Sequence, residues 1–315
     1  MHNRAIRTAL AAVVALAVPL TVAACGDDDN GGGGSTNAGA NKPAITIGSK
    51  SFTEEAILGE LYSQALRAKG YKVTLKPNIG QTEIADKALT SGKIDMYPEY
   101  TGTTLSVVAG QKTKPKSAED AYAAAKKFYE GRGQTLTEPT PFFDSDGVAV
   151  KKTFADSKGL KALPDLKKLS GNDAKLAGAP EFATREEGLL GLKGVYGLNN
   201  LKFTPLQIGL QYKALDQGKV SLIEVFTTDG ALASGKYTVM EDPQKVFGFQ
   251  NVAMVLPQKL ESDLGSEFTD TVNAVSAKLT NEAMQQMNAA VDIDKNKPTA
   301  VAQKFLQANG LLKEN

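Results

Sequence analysis

The feature that most constrains the fold is a pattern that occurs twice along the chain. Residues 88–96 combine the end of a helix, a glycine stop and a strand, and residues 214–222 repeat that order. Continuing this alignment without a gap sets Tyr100 opposite Phe226, each beyond the carboxyl end of its strand. Open α/β sheets bind ligands at that end. The repeat predicts two α/β lobes with one aromatic ring each at a shared cleft; the alternative is that both rings are core residues in a chance match.

Other segments fit the same alternation of strands and helices. A β-prone run at residues 44–48 precedes a helix that the capping box at 51–54 predicts. Residues 72–76 and 94–97 form the next two predicted strands, the second ended by Pro98. The strands of the first lobe are expected to be parallel. A second capping box at 184–187 predicts a helix to about residue 196. Further helices are predicted at 82–91, 117–132, 265–280, 281–291 and 298–309.

The amino terminus predicts export from the cytoplasm. Residues 1–24 have a basic start, an apolar stretch and small residues before Cys25, as in a secretory signal peptide. Residues 22–25 resemble the lipobox of bacterial lipoproteins, which implies a lipid on Cys25; an ordinary cleaved signal with a spare thiol is the alternative. The glycine-, aspartate- and asparagine-rich stretch that follows makes residues 25–42 a predicted flexible tether.

Composition argues against most kinds of catalysis. The only histidine, His2, lies in the predicted signal and the only cysteine is Cys25, so the mature domain lacks Ser–His and Cys–His pairs and the usual zinc ligands. We expect no catalytic residue, no metal and no cofactor. The 36 basic residues nearly balance the 35 acidic ones, which gives no reason to expect nucleic-acid binding. A surface enzyme that uses Glu55 and Asp146 as an acid and base pair is the less favoured alternative.

Five short motifs are distributed along the chain after the tether: GSKSFTEE (48–55), IDMYPEYTGT (94–103), REEGL (185–189), YGL (196–198) and TTDG (227–230). These motifs resemble the osmoprotectant-binding proteins of ABC importers, the glycine betaine, choline and carnitine type. The resemblance extends over essentially the whole chain after the tether.

The resemblance implies an α/β, two-lobe periplasmic-binding-protein fold of the type II-like class. Lobe 1 is expected to comprise residues 43–145 and 250–315, and lobe 2 residues 146–249. Two crossover segments, near residues 145 and 250, join the lobes, and the ligand cleft lies between them.

The resemblance also implies an aromatic cage for the ligand, since a quaternary ammonium is recognised through aromatic faces. Tyr100 matches the first cage tyrosine, and Phe226 matches the third but lacks its hydroxyl. Asp146 and Gln250 stand at the second and fourth cage positions, and Glu55 stands at a position usually occupied by glutamine. Because these polar groups suit a ligand with N–H or O–H donors, a non-quaternary polar or aromatic solute is the alternative.

The matching motifs supply five further predicted ligand-binding residues. Thr103 is expected to line the cleft, and Arg185 could bind a ligand carboxylate, although an exposed arginine on a helix is often only solvated. Asn251 could instead satisfy backbone groups at a crossover. The remaining two are Ser49 and Thr228.

Together these features predict an extracytoplasmic, lipid-anchored protein that captures a small solute. The resemblance implies that it delivers this solute unchanged to an ABC permease and its ATPase subunit. We expect the protein to be a monomer attached to the membrane only through its lipid.

Overall fold

Strands and helices alternate along residues 42–111 and 115–313, which the computed structural model describes. The predicted signal peptide, Cys25 and nearly all of the predicted tether lie outside these residues. The strands are β1 (Ile45–Gly48), β2 (Val73–Lys76), β3 (Tyr97–Tyr100), β4 (Gln134–Leu136), β5 (Asp146–Lys151), β6 (Lys175–Gly178), β7 (Lys202–Pro205), β8 (Leu222–Phe226), β9 (Tyr237–Val239) and β10 (Val252–Pro257).

The helices agree closely with several sequence predictions, above all at the carboxyl terminus. Ser117 caps one of them by accepting a hydrogen bond from the Asp120 amide, as its capping sequence predicts. The helices are α1 (Thr53–Ala68), α2 (Thr82–Thr90), α3 (Thr101–Thr103), α4 (Ala118–Glu130), α5 (Lys152–Lys158), α6 (Leu189–Tyr196), α7 (Gln211–Asp216), α8 (Gln258–Leu264), α9 (Ser266–Ser276), α10 (Asn281–Asp292) and α11 (Pro298–Ala308).

Both predicted capping boxes are wrong. Ser51 accepts a hydrogen bond from the Gly80 amide rather than capping α1, so it ties two loops together. Thr184 donates to the Glu181 carbonyl and closes a short 3₁₀ turn, which delays the start of α6 to Leu189. In each case the hydroxyl hydrogen-bonds to a backbone group outside the helix instead of to the helix terminus.

We call residues 42–145 and 250–313 the outer segments, and residues 146–249 the middle segment. In the outer segments β1 pairs with β2 in parallel, whereas β10 lies between β3 and β4 and is antiparallel to both. The prediction of parallel strands in this region is therefore only partly right. The antiparallel pairs arise because β10 belongs to the part of the chain that returns from the middle segment.

Pro98 lies inside β3 and does not end it, contrary to the sequence prediction. The Thr101 amide donates to the Asn251 carbonyl, and hydrogen-bonded pairs alternate along an antiparallel ladder. Pro98, opposite Met254, therefore falls at a pair that needs no N–H donor. It also lies on an edge strand of its sheet, where proline is tolerated.

The middle segment forms a sheet of its own, in the order β7-β6-β8-β5-β9. Strand β6 is parallel to β7 and β8, and β5 is antiparallel to β8 and β9. Its buried apolar side chains form clusters separate from those of the outer segments. The central strand β8 therefore runs between two apolar layers, and its carboxyl end carries Phe226.

The repeated pattern found in the sequence is visible in the structure. Gly92 follows α2 with φ near 70°, and Gly218 follows α7 with φ near 69°, a left-handed conformation that glycine adopts without strain. Tyr100 is the last residue of β3 and Phe226 is the last residue of β8. The two aromatic residues thus occupy equivalent positions, as the alignment predicts.

The two connections between the segments run side by side. Phe143 and Asn251 form an antiparallel bridge, and the Asp144 amide donates to the Gln250 carbonyl at 3.1 Å. Asn251 Nδ2 adds bonds to the carbonyls of Thr140 and Phe142. The two crossover segments therefore form one hydrogen-bonded, two-stranded ribbon between the outer and middle segments.

Candidate functional site

A small cavity of about 40 Å³ lies between the outer and middle segments. Both segments contribute to its wall, and the wall combines aromatic, acidic and basic side chains. Six residues predicted to bind ligand line it: Tyr100, Thr103, Asp146, Arg185, Phe226 and Gln250. The rest of the wall is formed by Lys50, Phe52, Gln81, Thr82, Asp144, Glu181, Ile208 and Glu224.

A larger cavity of about 610 Å³ adjoins the small one. The two share part of their walls, and we call these two adjoining cavities the cleft. The larger cavity adds Glu54, Thr228 and Asn288, among other residues. The residues common to both walls are Phe52, Asp144, Ile208 and Phe226.

Three aromatic rings form a row along this cleft. The ring centroid of Phe52 lies 6.2 Å from that of Tyr100 and 5.8 Å from that of Phe226, on which it stacks with planes 10° apart. The sequence prediction of one ring from each lobe is thus incomplete, because Phe52 lies between the two. Phe52 immediately precedes α1, and that helix start fixes its place in the row.

One face of the Tyr100 ring already carries a cation. Lys50 Nζ lies 4.3 Å from the ring centroid and 2.6 Å from Glu99 Oε1, and its side chain is only 2% exposed. Glu55 Oε1 is 3.6 Å from the same ammonium. A buried ammonium needs such partners to offset its lost hydration. A solute cation must therefore use other ring faces of the row.

Glu54 links the aromatic row to the middle segment. Its Oε1 accepts from the Tyr100 hydroxyl at 2.8 Å, and its Oε2 accepts from Thr228 Oγ1 at 2.5 Å and Asn288 Nδ2 at 3.1 Å. Burial raises the pKa of Glu54, and its three hydrogen bonds act in the opposite direction. Since Thr228 follows β8, this carboxyl group directly joins the outer and middle segments.

Asp144 supports the same junction from the crossover. Its Oδ1 accepts from the Thr228 amide at 3.3 Å and from Thr227 Oγ1 at 3.4 Å. Burial, together with the nearby carboxyl of Glu54, raises the pKa of Asp144 well above its usual range. The loop after β8 is thus held by two buried acids.

Gln250 turns its amide oxygen towards the α3 turn. Its Oε1 accepts from the Thr103 amide at 3.0 Å and from Thr103 Oγ1 at 3.3 Å. A side chain at Gly102 would not fit, because an added Cβ would lie 2.7 Å from the Phe249 carbonyl oxygen and 2.9 Å from the Gln250 amide. Gln250 and Thr103 therefore form one rigid unit in the cavity wall.

Asp146 and Glu224 form a pair of carboxyl groups on the middle-segment side of the cavity. Their side chains hydrogen-bond to each other, and Glu224 Oε2 also accepts from the Ala179 amide. Burial raises the pKa of both groups, and for Glu224 the neighbouring Asp146 raises it further. Burial and the mutual repulsion of adjacent carboxylates therefore both disfavour joint ionisation of the pair.

Arg185 lies at the cavity rim and reaches both segments. Its Nη2 is 3.5 Å from Glu83 Oε2 on α2, and its Nε has no hydrogen-bond partner within the described ranges. Burial alone favours the neutral form, but the carboxylates of Asp146 and Glu83 outweigh it and raise the pKa of Arg185. Arg185 therefore interacts with carboxylates of the protein rather than with solvent alone. Its Nε–H remains available to donate a hydrogen bond to a ligand.

Four predicted site residues lie away from the small cavity. Glu55 accepts a hydrogen bond from the Lys50 amide. Ser49 is fully buried beside α1. Asn251 holds the crossover backbone, and Thr228 faces the larger cavity. Ser49, Glu55 and Asn251 thus lie outside the walls of both cavities, whereas Thr228 lines the larger cavity together with Phe226.

Some cleft residues were not predicted from the sequence. Glu224 interrupts the apolar strand β8, and an acid in a central strand was the signal that could have identified it. Phe52 and Glu54 lie inside a matching motif, but the sequence predicts only a helix-capping role for that segment and no place in the cleft. Asp144 lies at the predicted crossover near residue 145, and its local pattern did not indicate a place in the cavity wall.

The part of the chain that the structure describes contains neither a metal-binding cluster nor a membrane-spanning helix. Residues 42–111 and 115–313 contain no group of three or more His, Cys, Asp or Glu side chains placed to hold a metal ion. Among the same residues, no helix is long and apolar enough to cross a bilayer.

Comparison with known proteins identifies the family. The model of the substrate-binding domain of ABC-type glycine betaine transport systems matches residues 43–308. The glycine-betaine-binding protein of Pseudomonas aeruginosa is 32% identical over 87% of this chain and 90% of that protein. The carnitine transport binding protein OpuCC of Listeria monocytogenes is 29% identical over 86% of this chain and 88% of that protein.

Solved structures agree with this assignment. The crystal structure of a glycine betaine/carnitine/choline ABC transporter protein covers 85% of this chain and 99% of its own, with 26% identity and a TM-score of 0.71. The predicted α/β periplasmic-binding-protein fold is thereby confirmed. The chain belongs to the family of substrate-binding domains of ABC-type glycine betaine transport systems, and it is the substrate-binding protein of such a transporter.

Proposed function

We propose that the protein captures a small osmoprotectant-like cation or zwitterion in the cleft between two lobes. Lobe 1 comprises residues 43–145 and 250–315, and lobe 2 comprises residues 146–249. The observation that carries this proposal is the cavity whose wall combines aromatic rings and charged groups from both segments. Aromatic faces attract the cationic group of such a solute, and the Arg185 guanidinium can bind the carboxylate of a zwitterion.

Hinge movement at the paired connections would open and close the cleft. The adjacent backbone links at Asp144 and Gln250 support a hinge there, since hinges are formed by a few residues between rigid bodies. In the closed form the solute is enclosed by both lobes. That form then docks on an ABC permease, whose ATPase partner drives uptake.

Calorimetric titration tests the choice of solute. The relatives' names specify glycine betaine and carnitine, and choline completes the set of quaternary ammonium probes. We expect saturable binding of at least one of them at one solute per chain. If none of the three binds to the mature protein, the solute is not a quaternary ammonium.

The Phe226 ring supplies a matched test of the aromatic wall. Phe226→Leu preserves apolar volume and removes the π face, so affinity for a quaternary ammonium should fall by about tenfold, the loss of one cation–π contact. Phe226→Tyr keeps the face and should bind within about threefold of the wild type. Equal affinity for the leucine variant and the wild type would show that the ring only packs.

Attachment and oligomeric state complete the proposal. Binding proteins of this family work on the extracytoplasmic side, and we propose that a lipid on Cys25 holds this one at the membrane as a monomer. A radiolabelled fatty acid should label the wild type and not Cys25→Ser, and light scattering of the mature domain should give the monomer mass. A wild-type protein that takes up no label would exclude the lipid anchor.

The proposed role involves no chemical change of the solute. Asp146 pairs with Glu224 at the small cavity, whereas Glu55 is held by Lys50 outside its wall, so Glu55 and Asp146 are not placed to act as an acid and base pair. Mass spectrometry after long incubation should recover the solute intact. A new product that depends on the protein would instead support a carboxylate-dependent enzyme.

A further inference from the structure

The strand register places two carboxyl groups beside the Phe226 ring. Asp146 on β5 lies opposite Phe226 on β8, and Val148 lies opposite Glu224. Side chains two residues apart on a strand share a face of the sheet, so Asp146, Glu224 and Phe226 project from the same face. All three line the small cavity. The middle-segment wall is therefore one ring flanked by two acids.

Charged groups of both signs surround this pair in the cavity wall. Glu181 adds a third carboxyl from the turn before α6, and Arg185 is the nearby cation, which Glu83 also attracts. The Lys50 ammonium, across the cavity, is already bonded to Glu99 at 2.6 Å. Even with one proton shared between the pair, the acids leave hydrogen-bond-accepting oxygens at the wall.

We propose that Asp146 and Glu224 are specificity-determining residues that accept hydrogen bonds from N–H groups of the solute. The cleft then prefers cations that retain N–H donors over fully methylated ones. A trimethylammonium group cannot donate, so closing the cleft over it would leave these oxygens buried against methyl groups. A dimethylammonium or guanidinium group would satisfy them and could still contact the Phe226 ring. This inference rests on the proposed function, since it concerns the same cleft.

A methylation series isolates this effect. Glycine, sarcosine, dimethylglycine and glycine betaine differ only in the number of methyl groups on nitrogen, and each is titrated calorimetrically against the mature protein. We expect dimethylglycine to bind at least tenfold tighter than glycine betaine, the discrimination of one charge-assisted hydrogen bond. Asp146→Asn and Glu224→Gln should each reduce that ratio to about threefold or less.

Control variants separate recognition from folding. Asp156→Asn removes an acid whose side chain is 65% exposed on α5, and it should leave the ratio unchanged. Glu224→Gln could disturb the sheet, because Glu224 accepts from the Ala179 amide. Asp146→Asn at the start of β5 avoids that risk, and a thermal melt of each variant identifies any that fails to fold.

The outcomes distinguish the inference from the proposed function. Tighter binding of glycine betaine than of dimethylglycine, with a ratio that Asp146→Asn does not alter, overturns the inference while the proposed function stands. Binding of choline or carnitine without any binding of the less methylated probes has the same meaning. If no probe of either set binds, both the inference and the proposed solute class fail.

Discussion

The hydrogen bond between Thr228 and Glu54 should contribute directly to closure over the solute. Thr228 Oγ1 donates to Glu54 Oε2 at 2.5 Å, and both residues are buried. Thr228→Val keeps the shape of the side chain and removes the donor. A hydrogen bond to a charged group contributes about 1.5–3 kcal/mol. If the bond forms only when the cleft is closed, the solute Kd should rise by about tenfold to hundredfold.

Calorimetry with the solute identified by titration measures this change, and small-angle scattering measures the closed fraction without solute. We expect the variant to have a larger radius of gyration than the wild type when solute-free. The Asn288 bond to Glu54 and the Asp144 bond to the Thr228 amide remain, so the variant should fold normally. Thr204→Val, an exposed change on β7, is the control. A Thr228→Val Kd within twofold of the wild type would refute this account of closure.

Three further predictions concern the supports of the site. Lys50→Met leaves Glu99 buried without its cation and should lower stability by about 3–5 kcal/mol, measured by denaturant unfolding. Burial raises the pKa of Glu55 from 4.5 to about 8, so the folded protein holds a proton that the unfolded chain releases, and the free energy of unfolding should fall as pH rises from 4.5 to 8. Glu55→Gln should flatten that slope in urea titrations at several pH values. Gly102→Ala places a Cβ 2.7 Å from the Phe249 carbonyl oxygen and should displace Gln250, lowering the melting temperature and weakening solute binding.

The sequence predicted the repeated strand ends well because they follow from local pattern. Tyr100 and Phe226 were placed correctly since a helix, a left-handed glycine and a strand are each recognisable within a few residues. Pro98 was misread because its tolerance depends on the register with β10, a partner distant in sequence. Local chemistry thus predicted the elements, and their pairing partners had to come from the structure.

The contacts of the candidate site were harder to predict for the same reason. Lys50 lies within the matching motif at residues 48–55 with no predicted role, yet its ammonium lies over the Tyr100 ring and bonds to Glu99. Glu224 acquires its role through a neighbouring strand that carries Asp146. Such contacts depend on side-chain direction and long-range packing, which residue spacing does not report.

The buried Lys50 ammonium limits how a guest molecule can be surrounded. The Lys50 ammonium occupies one face of the Tyr100 ring, and one face of the Phe226 ring stacks against the Phe52 ring. We therefore expect a bound nitrogen to meet π electrons over only part of its surface and oxygen atoms over the remainder. Discrimination between solutes would then depend on the cost of removing water from those oxygens, so the number of aromatic rings alone overstates how hydrophobic this cleft is.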